Sequence, residues 1–282
     1  NRAMGNIPEY VSQFEIAGTY SQINYQGTPV RVSPLGYADL FKWLTNRAEG
    51  IPAYALVDMT TQDAQIVKLG DRAIFYSRSE PLARNIDRYV QLKYPFYMFD
   101  EKSFEIDEDG RPWWIAPRVV KTIGLFGGRD IIGAVLVNAV TGEHQYYDAK
   151  DVPDWVDHVY TADLIVQQYD YHGAYVNGFI NSLFGQRDVT VTTEGYNYIA
   201  IGDDVYMYTG ITSVVSDESN IGFILSNQRT KETRFYTVAG AEEYSAMESA
   251  QGQVQQMKYA ATFPLLLNIA DQPTYFMALK YA

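Results

Sequence analysis

Cysteine is absent from this 282-residue sequence. Its absence excludes disulfide bonds, catalysis by a thiolate and zinc sites with cysteine ligands. Histidine is scarce as well, because the chain has only His144, His158 and His172. No two of them stand three or four positions apart, as metal ligands on one helix face do. We therefore expect the histidines to be surface or half-buried polar residues, and we expect no bound metal.

Basic residues are outnumbered by acidic ones. The chain has 22 Lys and Arg against 34 Asp and Glu, which gives a net charge of −12. Nucleic acids bind to a basic face, and anionic membrane surfaces attract basic segments, so both classes of partner are disfavoured. No apolar run approaches the ~20 residues that cross a bilayer. The apolar content of 47% nevertheless suffices for a packed core.

Motifs of known catalytic sites are also missing. The chain has no Gly-x-Ser-x-Gly and no His-Glu-x-x-His, and Gly124–Gly128 is not followed by the Lys-Ser/Thr of a P-loop. The strongest metal candidate is the acidic stretch from Asp100 to Gly110, because calcium binds several carboxylates from one loop. An EF-hand frame that starts at Glu105 places Ala116 where the last glutamate ligand belongs. We therefore predict a charged hairpin turn in solvent, and no catalytic, cofactor-binding or metal-binding residue.

The sequence does contain a repeated pattern. Three strand-like segments each end in Asp or Asn, followed by Thr three positions later and by an acid two positions beyond it. The repeated positions are Asp58 and Thr61, Asn138 and Thr141, and Asn227 and Thr230. Side chains of these types hydrogen-bond the backbone of a tight turn, so we interpret all six as structural turn formers. A repeated unit of this size is typical of a scaffold or a binding module.

Turn residues also recur upstream of each repeat. Gly27, Gly110 and Gly202 each open a run of aromatic or β-branched residues, which is typical of a hairpin. A fourth turn at Asp271–Pro273 has no repeated Asp or Asn after it. Apolar spacing predicts helices over 37–48, 80–94, 154–160, 161–184 and 240–258. Strands are predicted in the second copy over 97–107, 112–120, 133–138 and 144–147. Hairpins with helices between them favour an α+β fold with antiparallel sheets.

The second copy carries a resemblance to a known family. Gly110–Pro117 and Gly133–Glu143 resemble the hairpin half of a PepSY domain, which has a Gly-x-Pro-aromatic strand and a strand ending in Val-Asp-x-x-Thr-Gly-Glu. Asn138 replaces the Asp here, and Gln62 and Lys231 replace the Gly in the other copies. The whole chain is also similar to the extracytoplasmic part of uncharacterised membrane proteins of Gram-positive bacteria. The resemblance implies an extracytoplasmic, inhibitory or binding module of the cell envelope, membrane-anchored in the full-length protein.

The expected fold class is therefore α+β, built of tandem PepSY-like units, each an antiparallel sheet packed by a helix. The first unit spans 1–69 and is incomplete at its N-terminal side. The second spans 70–148 and the third 149–238. The fourth, 239–282, is expected to be truncated at its C-terminal side, because its turn lacks the downstream strand of the other copies.

Three functions from different classes remain open. The favoured one is a non-enzymatic interaction or regulatory region that binds a peptide, protein or peptidase partner in the cell envelope, with no cofactor and no nucleic acid. The first alternative is an envelope hydrolase that uses carboxylates between units. The second is a glycan-binding surface built on exposed tyrosines, of which the chain has 24 in all. Converging carboxylates would indicate the enzyme, a flat aromatic platform the glycan binder, and an open sheet edge the peptide partner.

Overall fold

The computed structural model describes residues 10, 12–125, 127–214, 219–269 and 272–281, apart from the side chains of 267–269, 273 and 281. The chain divides into two compact units, residues 1–161 with 200–205 and residues 162–199 with 206–282. Strand accounts for 44% of the described residues and helix for 21%. Within the described part of the chain, none of the helices has the length and apolar character that a membrane crossing requires.

The first sheet contains the strands nearest the N-terminus. They are β1 (Phe14–Ile16), β2 (Ser21–Tyr25), β3 (Thr28–Tyr37), β4 (Ala53–Asp58) and β5 (Ala64–Lys68). The order is β1-β3-β4-β5, and β2 also pairs with β3. Helix α1 (Leu40–Asn46) lies between β3 and β4 and begins where the Asp39 carboxylate accepts the N–H of Lys42.

The second sheet has the same arrangement. Its strands are β6 (Met98–Phe99), β7 (Ser103–Ile106), β8 (Pro112–Ile123), β9 (Gly127–Asn138) and β10 (His144–Asp148). The order is β10-β9-β8-β6, and β7 also pairs with β8. Helix α2 (Ile86–Lys93) precedes this sheet, with the Asn85 side chain as its N-cap. A 3₁₀ turn (Ala149–Asp151) follows it.

The third sheet and the C-terminal hairpins follow. Helix α3 (Ala162–Tyr175) and a π-helical turn (Asn181–Gly185) precede β11 (Thr190–Thr192), β12 (Asn197–Ile201), β13 (Asp204–Ser213), β14 (Ser219–Asn227) and β15 (Thr233–Ala241). The order is β11-β13-β14-β15, and β12 also pairs with β13. Next come α4 (Glu243–Gln253), a 3₁₀ turn (Gln255–Met257), β16 (Tyr259–Ala261), β17 (Leu265–Ile269), β18 (Gln272–Phe276) and β19 (Leu279–Tyr281). Here β16 pairs with β19 and β17 with β18. The predicted fourth turn at Asp271 lies outside the described residues.

The core of the first unit lies between its two sheets. The ring of Tyr54 on β4 contacts that of Phe104 on β7, with centroids 6.3 Å apart, and Phe104 in turn contacts Trp114 on β8 at 5.2 Å. All three side chains are buried. The backbone N–H of Phe104 also donates to the hydroxyl of Ser21 on β2, at 3.2 Å. Sheet therefore packs against sheet, and the aromatic rings fill the interface.

The predicted fold class is wrong. The expectation was an α+β fold of tandem units with one helix packed on each antiparallel sheet, whereas the chain is rich in β structure, with several antiparallel sheets. The two helices of the first unit contribute few side chains to its core. Helix α1 buries only Trp43, and α2 buries only Ile86 and Val90. In the first unit, the apolar face of one sheet packs against the apolar face of the other. This packing leaves little apolar surface for the helices to bury.

Individual helices also differ from the predictions. Residues 154–160 form turns and bends instead of a helix. The helix predicted over 161–184 ends at Tyr175. Gly178 has φ of +85°, a left-handed conformation that interrupts a helix. The apolar spacing of this segment continues past Gly178 into the π-helical turn, which explains why periodicity alone predicted a longer helix.

Candidate functional site

The six predicted turn positions form three separate turns of the same design. Each acceptor ends the fourth strand of its sheet and binds two backbone N–H groups. Asp58 Oδ1 accepts from Thr60 and Thr61 (2.7 and 2.8 Å), Asn138 Oδ1 from Val140 and Thr141 (2.9 and 3.0 Å), and Asn227 Oδ1 from Arg229 and Thr230 (both 2.9 Å). These hydrogen bonds hold the pKa of Asp58 below its usual range. The predicted Asp or Asn and its Thr thus lie in the same turn in each case. The three turns belong to three different sheets.

The threonine of each turn adds a further hydrogen bond inside the turn. The hydroxyls of Thr61, Thr141 and Thr230 accept the N–H of the acid two positions later, at 3.3, 3.2 and 3.3 Å. The residue between Thr and the acid adopts positive φ in all three turns: Gln62 at 62°, Gly142 at 76° and Lys231 at 64°. These residues serve the strand-to-strand connection, and they form no common binding site.

Carboxylates of the acidic stretch are held by separate parts of the fold. Asp107 Oδ1 accepts the N–H groups of Asp109 and Arg111, at 3.1 and 2.9 Å, in the turn between β7 and β8. Glu105 is fully buried, and its Oε2 accepts the N–H of Asp157 at 2.9 Å. The prediction of a solvated turn is therefore wrong for Glu105 and Asp107, which are both buried, whereas Glu108 and Asp109 are exposed. The Glu105 side chain fixes a loop that is distant in sequence. Neither carboxylate is free to receive a calcium ion.

Other buried acids are also engaged by side chains of the fold. Glu80 accepts the indole N–H of Trp43 at 2.9 Å. Glu243 Oε1 accepts the hydroxyl of Tyr208 at 3.1 Å, whereas its Oε2 has no hydrogen-bond partner among the described atoms. Buried oxygens of this kind are ordinarily met by ordered water. Within the described residues, no cluster of three or more His, Asp and Glu could hold a metal ion.

An aromatic group on the second sheet is the nearest feature to a glycan platform. The Arg118 guanidinium lies 3.7 Å from the centroid of the Tyr97 ring and 5.3 Å from that of Tyr146. Tyr97 and Tyr146 contact each other edge-on, with centroids 5.7 Å apart. Sugars stack on flat, open ring faces, and here a cation covers the rings. The arrangement is that of a structural cation–π cluster.

Two of the three histidines make hydrogen bonds within the fold. His144 Nδ1 lies 3.0 Å from the Tyr94 hydroxyl, and burial followed by the charge of Lys93 lowers the pKa of this imidazole. His158 Nε2 lies 2.7 Å from the carbonyl oxygen of Gln22. The third, His172, is exposed on helix α3.

Strand β15 is a long and exposed edge of the third sheet. It has nine residues, and only Val238 and Gly240 are shielded to an intermediate degree. Its partner is β14, which lies on one side of it, and β15 ends the strand order of the sheet. The corresponding edge strands β5 and β10 have only five residues each. A long edge of this kind offers backbone donors and acceptors to a further strand.

The register tells which peptide groups of β15 face outward. The N–H of Asn227 donates to the carbonyl of Glu232 at 2.9 Å, so Glu232 faces β14. Antiparallel ladders alternate from residue to residue. The peptide groups of Thr233, Phe235 and Thr237 therefore face the open side, up to the register shift that follows Thr237.

A groove runs beside the start of this edge. It has a volume of about 220 Å³ and is lined by Ile165, Gln168, Tyr169 and His172 of α3 and by Lys231 and Thr233. The four helical residues share one face of α3, since they are three or four positions apart. Helix α3 lies close to β11 on its other side, where the Asp170 carboxylate accepts the N–H of Thr192 at 2.8 Å. Gly173 permits this approach, because a Cβ there would collide with the carbonyl of Thr190.

Sequence reasoning did not find the groove or the open edge. The groove is lined by residues of the segments 165–172 and 231–233, which are far apart in the sequence. No motif links the two segments. The polarity of β15 was the available signal, since Thr-Arg-Phe-Tyr-Thr lacks the apolar alternation of a half-buried strand. No protein-family model, curated protein or solved structure matches this chain.

Proposed function

We propose that this protein is a non-enzymatic binding module that takes an extended peptide, or an extended segment of a protein, as an additional strand on β15. The peptide would pair with the outward-facing backbone of Thr233, Phe235 and Thr237. Its alternate side chains would lie over the groove beside α3. Backbone pairing supplies affinity in this mode of recognition, and the pocket supplies specificity.

One observation carries the proposal: the longest of the three corresponding edge strands is exposed at nearly every position and borders a groove. Natural proteins usually protect such edges with short strands, prolines or covering elements. β15 contains no proline. Among the described residues, β15 is paired with β14 on one side, and contacts on its other side are confined to the far end, where the Tyr275 hydroxyl donates to the carbonyl of Ala241.

The alternatives have less support. A hydrolase needs carboxylates that converge on one cleft, whereas the groove is lined by no Asp or Glu. A glycan binder needs open ring faces, whereas Arg118 covers Tyr97. The resemblance to PepSY domains implies an inhibitory or binding module of the cell envelope, and we include an extracytoplasmic location in the proposal on that ground.

The decisive variant is Thr237→Pro. Proline removes the outward N–H of this residue and leaves the ladder to β14 intact, since edge strands tolerate proline on their solvent side. Thr237→Val is the matched control, because it changes the side chain and keeps the N–H. A random library of 12-residue peptides displayed on phage would be selected on the unchanged protein and counter-selected on Thr237→Pro.

We expect enriched peptides with alternating apolar residues that bind the unchanged protein and Thr237→Val equally. Binding to Thr237→Pro should fall at least tenfold while its circular dichroism spectrum is unchanged. Peptides that bind all three proteins equally, or no enrichment at all, would contradict strand addition at β15.

A further inference from the structure

A row of aromatic rings crosses three neighbouring strands of the third sheet. Tyr208 lies on β13, Phe223 on β14 and Tyr236 on β15. The ring centroids of Tyr208 and Phe223 are 5.3 Å apart, and those of Phe223 and Tyr236 are 5.1 Å apart. Both distances are close to the spacing of about 4.8 Å between neighbouring strands. The row therefore runs in the direction in which a further strand would be added.

The last ring of the row lies at the open edge. Tyr208 is fully buried, Phe223 is half-buried and Tyr236 is 40% exposed. The ring planes of Phe223 and Tyr236 differ by only 16°, so the two rings are stacked. Phe223 thus covers the ring face of Tyr236 that is turned towards β14. The other ring face is turned towards the open side of β15.

The ring of Tyr236 is also held at its rim. Its hydroxyl interacts with the guanidinium of Arg234. Arg234 is in turn fixed by Glu232, because its Nε and Nη2 donate to Glu232 Oε1 at 2.9 and 2.6 Å. These contacts involve the hydroxyl and not the outward ring face. A ring that is oriented before the ligand arrives binds at a lower entropy cost than a mobile one.

An added strand would place one side chain directly against this ring. The described pairings of the third sheet are all antiparallel, and we expect the same of the peptide. The peptide groups of Tyr236 face β14, so on the open side Tyr236 would form a non-hydrogen-bonded pair. In such pairs the Cα atoms are about 4.5 Å apart and the side chains lie closer than in hydrogen-bonded pairs. The contact lies on the opposite face of the sheet from the groove, because Tyr236 stands three positions after Thr233.

We infer that the open edge selects peptides with an aromatic residue opposite Tyr236, whose ring continues the row by one strand. This inference rests on the proposed strand addition. Ring pairs gain more free energy than their buried area alone supplies, and cross-strand aromatic pairs stabilise sheets. The ligand class is thus an extended segment with Phe, Tyr or Trp at one defined position.

The peptides enriched from the 12-residue phage library on the unchanged protein supply the probes. The peptide that binds best would be prepared with its aromatic residue and with Leu in its place, each labelled with fluorescein. Fluorescence anisotropy gives the dissociation constants. Tyr236→Phe keeps the ring of the protein, and Tyr236→Leu keeps only an apolar side chain. Tyr244→Leu is the matched control, since Tyr244 on α4 is 44% exposed.

We expect most enriched peptides to have an aromatic residue at one common position. Its replacement by Leu should weaken binding to the unchanged protein about fivefold. Tyr236→Phe and Tyr244→Leu should show the same ratio. In Tyr236→Leu the ratio should fall below about twofold, with an unchanged circular dichroism spectrum. Nuclear Overhauser contacts between the peptide ring and the Tyr236 ring of the unchanged protein should show the same placement without a variant.

Other results separate the inference from the proposed function. If the enriched peptides fail to bind Thr237→Pro but share no aromatic position, strand addition stands and the aromatic inference is wrong. If no peptide is enriched, or if the peptides bind Thr237→Pro as well as the unchanged protein, both are wrong. An aromatic preference that persists in Tyr236→Leu, or a peptide ring without contacts to Tyr236, would overturn the assignment to this row.

Discussion

At the residue scale, a single side-chain oxygen organises each of the three repeated turns. It accepts two backbone N–H groups, from Thr60 and Thr61 in the first turn and from equivalent residues in the others. Those donors would otherwise face solvent or remain unpaired. Asp and Asn are interchangeable here because both present a suitably placed oxygen, which explains why Asn138 replaces Asp58 without a change of turn geometry.

This role predicts a stability difference at Asn138. Asn138→Ala removes the acceptor of Val140 and Thr141 and should lower the free energy of unfolding by about 1–2 kcal/mol. Asn138→Asp keeps the acceptor and should change it by less than about 0.5 kcal/mol, helped by Arg72 and Arg111, which line the same pocket. Urea unfolding of the two variants checks the difference, and equal losses would show that the side-chain oxygen is dispensable.

At the element scale, the alternation along β15 decides what each position tolerates. Peptide groups of Arg234 and Tyr236 face β14, and those of Thr233, Phe235 and Thr237 face outward. Tyr236 also stacks on Phe223 directly opposite, with ring centroids 5.1 Å apart. The inner side of the strand is therefore held by the ladder and by cross-strand pairs, while the outer side contributes little to stability.

Proline substitutions at adjacent positions should reveal this alternation. Tyr236→Pro removes a ladder hydrogen bond and should lower the free energy of unfolding by about 1–3 kcal/mol. Thr237→Pro removes only a solvent-facing N–H and should cost less than about 1 kcal/mol. Tyr236→Ala is the control for the lost ring. Thermal melting of the three variants measures the effect, and a larger loss at Thr237 would mean that the assigned register is wrong.

At the scale of the whole molecule, the burial of tyrosines makes the stability of the fold depend on pH in the alkaline range. Burial, followed by the charges of Tyr25 and Asp107, raises the pKa of Tyr54 from 10.0 to about 12. Burial also raises the pKa of Tyr37, Tyr208 and Tyr275. The unfolded chain has the ordinary tyrosine pKa. The contribution of these tyrosines to the free energy of unfolding is therefore fully present below about pH 10, and that of Tyr54 is lost as the pH rises through about 12.

Alkaline unfolding tests this coupling. Urea midpoints should fall between about pH 9 and about pH 12, and Tyr54→Phe should make the fall shallower because one ionisation is removed. The variant also loses the hydrogen bond from the Tyr54 hydroxyl to the Gly110 carbonyl, at 3.1 Å, so its stability at neutral pH should be about 1 kcal/mol lower. Parallel curves for both proteins would show that Tyr54 ionises without unfolding.

Local features were the most predictable part of this molecule. The turn glycines and the strands predicted over 112–120, 133–138 and 144–147 could be placed from residue types alone, whereas the helix predicted over 80–94 begins only at Ile86 and the strand predicted over 97–107 is two short strands. The irregular conformation of residues 154–160 could not be predicted, because Val156 and Val159 mimic helical spacing but are buried by tertiary contacts. The buried state of Glu105 was equally hidden, since its partner Asp157 lies far along the chain.

The sequence by itself determined the repeated turns, because their hydrogen bonds join residues within six positions and need no distant partner. It also determined the absence of cysteine chemistry and the acidic balance. Only the tertiary structure decided that two sheets share a core, that β15 is left as an open edge, and that α3 borders it with a groove. Burial and edge exposure depend on which elements meet, and that is set by the free energy of packing the whole chain, not by the preferences of any one segment.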